Sequence, residues 1–167
     1  MRKEDRKPSR SIPLHIIMFR YHFMLILLVG MMISLASGKD QDQVDLSSYQ
    51  WKNRLLILFA PSEDAPIYQS FKEQLQRRTQ EIRDRDLLVF HVFETGEGRL
   101  AHLPLHKEQV LFLQKRFSMI PGQLIVILIG KDGEVKFREK LPVDLSDVFS
   151  IIDAMPMRQR EIRERSK

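Results

Sequence analysis

Three uninterrupted apolar runs restrict this chain to few folds. Arg54-Leu-Leu-Ile-Leu-Phe-Ala60 is apolar from residue 55 to residue 60 and is stopped by Pro61. Asp86 to Glu94 (DLLVFHVFE) and Gln123 to Ile129 (QLIVILI) repeat the pattern. A strand with one wet face alternates apolar and polar residues, whereas a run that is apolar on both faces suits a strand covered on both sides. The chain therefore calls for a central sheet with helices packed against it.

The segments between the runs supply those helices. After Pro66, apolar residues recur at Ile67, Phe71, Leu75 and Ile82 with charges between them, one face of a helix that has proline in its first turn. His106 to Phe117 places Val110, Leu113 and Phe117 on one side of a second helix. Gly130-Lys-Asp-Gly133 turns the third run into Glu134–Lys140, where Val135 and Phe137 alternate with charges, and Asp-Gly between two such runs predicts a hairpin. Asp144 can cap a third helix with Leu145, Val148, Phe149, Ile152 and Met155 on its apolar side. The order is β-α-β-α-β-β-α, a single α/β domain with the core arrangement of the thioredoxin-like fold. Its first two strands, joined by a helical crossover, are expected to be parallel.

The N-terminus reads differently. Phe23 to Ala36 (FMLILLVGMMISLA) is uncharged and apolar, basic residues precede it, and Ala36-Ser37-Gly38 follows. That is the order of a secretory signal peptide, with cleavage expected after Gly38. The n-region is long, and a start at Met18 gives a more ordinary signal. The alternative is an uncleaved anchor, although the run falls short of the ~20 residues that cross a bilayer comfortably. Residues 39–50 are polar and are expected to be a flexible lead-in, residues 51–157 the domain, and residues 158–167 a basic tail.

Charge and cysteine content narrow the function classes. Of the formal net charge of +5, residues 1–38 supply +4 (Arg2, Lys3, Arg6, Lys7, Arg10 and Arg20 against Glu4 and Asp5), so residues 39–167 carry only +1. A nearly neutral domain offers no bulk field for nucleic acid. The chain has no cysteine, which removes disulfides, thiolate catalysis and thiolate metal sites. Its one asparagine, Asn53, is followed by Arg54 and Leu55, so there is no glycosylation sequon.

Four separated stretches resemble one family. Trp51-Lys-Asn-Arg-Leu-Leu-Ile-Leu-Phe-Ala-Pro61, Arg85-Asp86-Leu87, Ile129-Gly-Lys-Asp-Gly-Glu-Val-Lys136 and Ile152-Asp-Ala-Met-Pro-Met-Arg158 are similar to P-DUDES, the domain of unknown function 4174. This family also occurs within a larger matrix protein and in sushi-repeat-containing proteins. The resemblance covers about residues 50–165. It implies a secreted, peroxiredoxin-like domain with roles in matrix assembly, adhesion or glycosaminoglycan binding. It also aligns Pro61, Ala65 and Tyr68 with the Pro-x-x-x-Thr-x-x-Cys of peroxiredoxins, so the threonine has become alanine and the nucleophile a phenol. A phenol with a pKa near ~10 is no peroxidatic nucleophile at neutral pH. Pro121 lies near the position of the cis-proline of thioredoxins, its isomer left open by its neighbours.

The remaining candidates are weighed by chemistry. His102 and His106 have a metal-ligand spacing if one helix carries both, but Pro104 between them works against that helix, and no third ligand is evident. His91 lies inside a core strand, where a hydrogen-bonded imidazole is the simpler reading than a catalytic base. Glu63 and Asp64 suit turn chemistry and the N-terminus of the following helix. Neither glycine-bearing loop, Gly96-Glu-Gly98 or Gly130-Lys-Asp-Gly133, fits a phosphate cradle. The tail holds Arg158, Arg160, Arg163, Arg165 and Lys167 against Glu161 and Glu164. It reads either as a contact for sulfated glycosaminoglycan or anionic lipid, or as a solvated helix end. The sequence thus favours a secreted, non-catalytic binding domain without cofactor or metal, with matrix proteins or sulfated glycosaminoglycan as partners. The alternative is an oxidoreductase-like enzyme with a non-thiol site around Tyr68, Asp64 and His91.

Overall fold

A computed structural model describes residues 44–167. The expected signal peptide and the first residues of the expected lead-in lie outside them. The described chain forms one mixed six-stranded sheet with helices on both faces. Its elements are β1 (Arg54–Ala60), α1 (Pro66–Arg77), α2 (Thr79–Asp84), β2 (Leu87–Phe93), β3 (Gly98–Leu100), β4 (Leu103–Pro104), α3 (Lys107–Arg116), β5 (Ile125–Ile129), β6 (Val135–Lys140), α4 (Leu145–Ala154) and α5 (Pro156–Arg165). The strand order is β4-β3-β2-β1-β5-β6. β1 and β2 are parallel, with Leu56 beside Val89 and Leu58 beside His91, and β5 and β6 form the expected antiparallel hairpin.

The three apolar runs become the three central strands, and strand geometry distributes them between two cores. Successive side chains point to opposite faces. Leu56, Leu58 and Ala60 therefore pack with Tyr68, Phe71 and Leu75 of α1 and with Leu145, Val148, Phe149 and Ile152 of α4. Leu55, Ile57 and Phe59 pack on the other face with Val110 and Leu113 of α3. Every residue of β1 is buried.

The structure departs from the sequence expectations in four places. The buried stripe of α1 is Tyr68, Phe71 and Leu75, while Ile67 is 42% exposed. With ~3.6 residues per turn, Tyr68 lies about 20° round the helix from Leu75 and Ile67 about 80° from it, so Tyr68 faces the sheet and Ile67 falls to the side. The loop bearing Gly96 and Gly98 contains the β3–β4 pair. Residues 44–50 are not a free lead-in, because Leu46–Tyr49 forms a 3-10 helix and Val44 is buried against the α3-side core. The boundary expected at residue 158 falls inside α5, because Arg158 is drawn into the protein.

An ionic network holds α5 in place. Arg54, at the head of β1, is fully buried, and its two terminal nitrogens donate to the two carboxylate oxygens of Glu161 at 3.1 and 3.2 Å. Lys131 pairs with Glu161 and Asp86, each at 2.8 Å. Arg158, 3% exposed, donates to the carbonyl and carboxylate of Asp84 and to Asp153 at 3.2 Å, and Arg85 reaches Asp153 at 2.5 Å. Burial alone would raise the Glu161 carboxyl pKa, but the bonds from Lys131 and Arg54 outweigh it and hold it below the ordinary glutamate value.

Removing one partner of a buried pair leaves an uncompensated charge, whereas replacing both with apolar groups is close to neutral. Glu161→Ala is therefore expected to cost about 3–5 kcal/mol in urea unfolding, and Arg54→Met combined with Glu161→Leu to recover most of that loss. Arg160→Ala, at an exposed position on the same helix, is expected to stay within about 0.5 kcal/mol.

Candidate functional site

The ends of β1 and β2 and the start of α1 meet at one polar cluster that runs from the apolar core to the surface. Pro61 ends β1, and the next loop delivers Glu63. Pro66 opens α1 at a position where its missing N–H costs nothing, and this places Tyr68 on the inward stripe. β2 contributes His91 on the same face, and β3 contributes Arg99 opposite it. Gly98 admits no side chain, since a Cβ there would lie 2.8 Å from the Val110 side chain and 2.9 Å from the His91 carbonyl.

Arg99 organises the group. Its Nη1 and Nη2 donate to the two carboxylate oxygens of Glu63 at 3.1 and 2.9 Å, and Nη2 also donates to the Tyr68 hydroxyl oxygen at 2.8 Å. Lys72 adds a bond to Glu63 at 2.8 Å. The Tyr68 hydroxyl lies 2.9 Å from Nδ1 of His91. Because arginine can only donate, the phenolic oxygen accepts from Arg99, and its proton is free to go to Nδ1. That assigns the His91 proton to Nε2.

The protonation states follow. Burial pushes the Tyr68 phenol up to about 12. Burial, reinforced by the charges of Arg99 and Lys72, pushes His91 down to about 4. The bonds from Arg99 and Lys72 hold the Glu63 carboxyl at about 2. At neutral pH the cluster is a neutral phenol, a neutral imidazole, a carboxylate and two cations. The phenol is protonated, and the Glu63 oxygens and Nδ1 of His91 each have a hydrogen-bond partner.

A cleft of ≈ 230 Å³ opens beside the cluster, lined by Glu63, Phe93, Glu97, Gly98, Arg99, His102 and Pro104. Tyr68 and His91 are not among its lining residues, and Tyr68 has no exposed surface. A molecule in the cleft meets Glu63 and Arg99 and does not reach the phenol.

The candidates named from sequence separate accordingly. Tyr68 and His91 are brought together; Asp64 has no bond to them, and Glu63 takes the acidic place. Pro61 and Ala65 flank the loop, Ala65 as the residue before α1. Pro121 is exposed in the turn before β5, and its peptide bond is trans; the cis bond among the described residues is Leu141–Pro142. His102 precedes β4 and His106 precedes α3, where its backbone N–H donates to Gln109 at 2.9 Å, so no helix carries both. Among the described residues no group of three or more His, Asp or Glu is arranged to hold a metal. Of the basic tail, Arg158 is buried, Arg165 is tied to Asp84 at 2.5 Å, and Arg160, Arg163 and Lys167 face solvent. Sequence reasoning missed Arg99. It lies 36 residues from Glu63 and 31 from Tyr68, and no local pattern announces the pairing.

The model of the family described as "Domain of unknown function (DUF4174)" matches residues 45–161. The chain belongs to that family. Coiled-coil domain-containing protein 80 of Danio rerio is 27% identical over 129 residues, covering 70% of this chain and 15% of that protein, so the chain spans about a seventh of this curated relative. Among solved structures, the reduced 2-Cys peroxiredoxin of Plasmodium vivax superposes with a TM-score of 0.53 at 15% identity, covering 70% of this chain and 85% of that one. Thioredoxin peroxidase I of Plasmodium yoelii gives 0.51 at 14% identity, with 69% and 79% covered. These likenesses establish the thioredoxin-like fold. The four stretches that carry the family resemblance meet in space in this DUF4174 domain: Arg54, Arg85, Asp86, Lys131, Asp153 and Arg158 all belong to the network under α5.

The cluster predicts an acid-sensitive fold. An unfolded His91 titrates near ~6.5, but the folded one near 4, so the unfolded chain binds more protons between those values. Stability is then complete above about pH 6.5 and falls as the pH drops towards 4, by up to about 3 kcal/mol. Glu63 adds to the loss below about 4.5. Urea midpoints measured from pH 7.5 to 4 are expected to fall in the wild type and to flatten over that window in His91→Gln.

Proposed function

We propose that this chain is a non-catalytic, thioredoxin-like binding domain that works outside the cell, in the extracellular matrix or at the cell surface. The observation that carries the reading is Tyr68. At the position the resemblance aligns with the peroxidatic nucleophile stands a buried phenol, held by Arg99 and His91 and absent from the cleft wall. The absence of cysteine leaves no thiol elsewhere to take its place. The apolar run at residues 23–36, with basic residues before it and small ones after it, supports export. Among the described residues no helix is long and apolar enough to cross a membrane.

Expression of the full chain in a secretory cell tests the location. A product in the medium that starts near Lys39 supports the proposal; an intact product in the membrane fraction overturns the secreted form of it.

Sulfated glycosaminoglycan is the partner class that suits the exposed face of α5 and the residues just after it, where Arg160, Arg163 and Lys167 remain exposed while Arg158 and Arg165 are engaged with the domain. The secreted chain is expected to stay on a heparin column at physiological salt. Replacing Arg160, Arg163 and Lys167 with alanine is expected to bring elution to lower salt. No retention at low salt removes this partner class.

A further inference from the structure

Among the described residues β6 ends the sheet, and its outer edge is unpaired. Such an edge offers backbone donors and acceptors to any added strand, and charged side chains then decide which strand is admitted. The register with β5 places Arg138 opposite Ile127 and Lys140 opposite Ile125, residues of the α3-side core, so both cations stand on that face of the sheet. A shift in register at the start of the strand puts Val135 opposite Ile129, on the same face. Lys136 is engaged by Asp132 at 2.6 Å and Glu134 at 2.9 Å, whereas Arg138 and Lys140 have no carboxylate within ion-pair distance among the described residues.

The chain's single tryptophan, Trp51, lies beside the β5–β6 turn that leads into this edge. Trp51 is 63% exposed, and its backbone sits at φ 64°, a left-handed conformation that is unusual for a bulky residue. Its N–H donates to the Lys131 carbonyl at 2.6 Å, and the Gln50 side chain donates to the Asp132 carbonyl at 2.8 Å. These bonds fix the residue beside the β5–β6 turn. Val135 is 51% exposed. An exposed tryptophan whose backbone is fixed has the make-up of an interface anchor.

The charges choose the occupant. A second copy added antiparallel in a continuous sheet would set residues of one face against residues of the same face. Registers centred on Phe137, Arg138 or Glu139 would then oppose Lys136 to Arg138, Arg138 to Arg138, or Arg138 to Lys140, and like charges directly opposite are destabilising. Arg138 and Lys140 are separated by one strand period, ~7 Å. A strand with carboxylates at alternate positions matches that spacing.

We propose that the β6 edge, with Trp51 as its apolar anchor, is a docking site for an extended acidic segment of a partner protein, which adds as a seventh strand. This rests on reading the chain as a binding domain, but it concerns residues separate from the α5 cations, so failure here leaves the heparin experiment to judge the other surface.

Trp51 is the natural reporter. The full-length chain would be titrated with Val-Glu-Val-Glu-Val-Glu and with Val-Lys-Val-Lys-Val-Lys while tryptophan emission is followed. A saturable shift with the glutamate peptide alone is expected. Arg138→Glu with Lys140→Glu is expected to weaken it at least tenfold and to admit the lysine peptide, with an unchanged far-ultraviolet circular dichroism spectrum confirming the fold. A glutamate peptide with proline at its centre, which cannot complete the strand pairing, is expected to bind at least tenfold more weakly. No saturable shift, or undiminished binding to the charge-reversed variant or of the proline peptide, overturns the proposal. So does a heparin hexasaccharide that produces the shift through Arg138 and Lys140 where the glutamate peptide does not.

Discussion

The burial of β1 dictates most of this structure. Seven residues in succession are shielded from water, and the first of them is an arginine. Six apolar side chains on alternating faces require cover from α1 and α4 on one side and α3 on the other. A buried guanidinium requires something else, since it cannot lose its charge and is stable inside a protein only when paired. Glu161 meets that need, and it can do so only from a helix lying across the heads of β1 and β2. Glu161 also engages Lys131, and Arg158 adds its own bonds from the same helix to Asp84 and Asp153.

At the other end of the same strands, the fold treats polar groups in a different way. Thioredoxin-like enzymes of the peroxiredoxin kind are the fold relatives, yet the equivalent corner of this chain is filled by a closed set of bonds. Arg99 satisfies Glu63 and Tyr68 at once, and Tyr68 satisfies His91. Burial keeps the phenol protonated and the imidazole neutral, and the bonds from Arg99 and Lys72 hold the carboxylate ionised. A buried polar network in which every member is satisfied rigidifies a core. At this corner the side chains satisfy one another, and the recognition surfaces proposed above lie elsewhere, on the exposed face and end of α5 and along β6.

How far the sequence could be read depended on the range of the interactions. The strands at 54–60, 87–93 and 125–129 were legible because periodicity is local. The β5–β6 turn was legible because Asp-Gly has one strong conformational meaning. β3 and β4, three and two residues long, have no periodicity to detect; they exist because β2 offers an edge and Gly98 permits close approach. Ile67 was assigned to the buried stripe of α1 on hydropathy, but a tyrosine one residue later displaced it, because Arg99 and His91 supply partners for its hydroxyl. In the tail, Arg158 and Arg165 look free in the sequence whether the segment is taken as a contact surface or as a solvated helix end, until Asp84, 74 and 81 residues away, is brought beside them.

The sequence by itself determined the fold class, the absence of thiol chemistry and the family, since these depend on composition, short periods and ordered motifs. The tertiary structure alone decided what the charged residues do. Arg54, Arg99 and Arg158 are each one arginine among many in the sequence. Which of them is buried, which is bound and which faces water is fixed by carboxylates tens of residues away, because the worth of a charge is set by the dielectric and the partners around it. Those are properties of the folded neighbourhood and not of the residue.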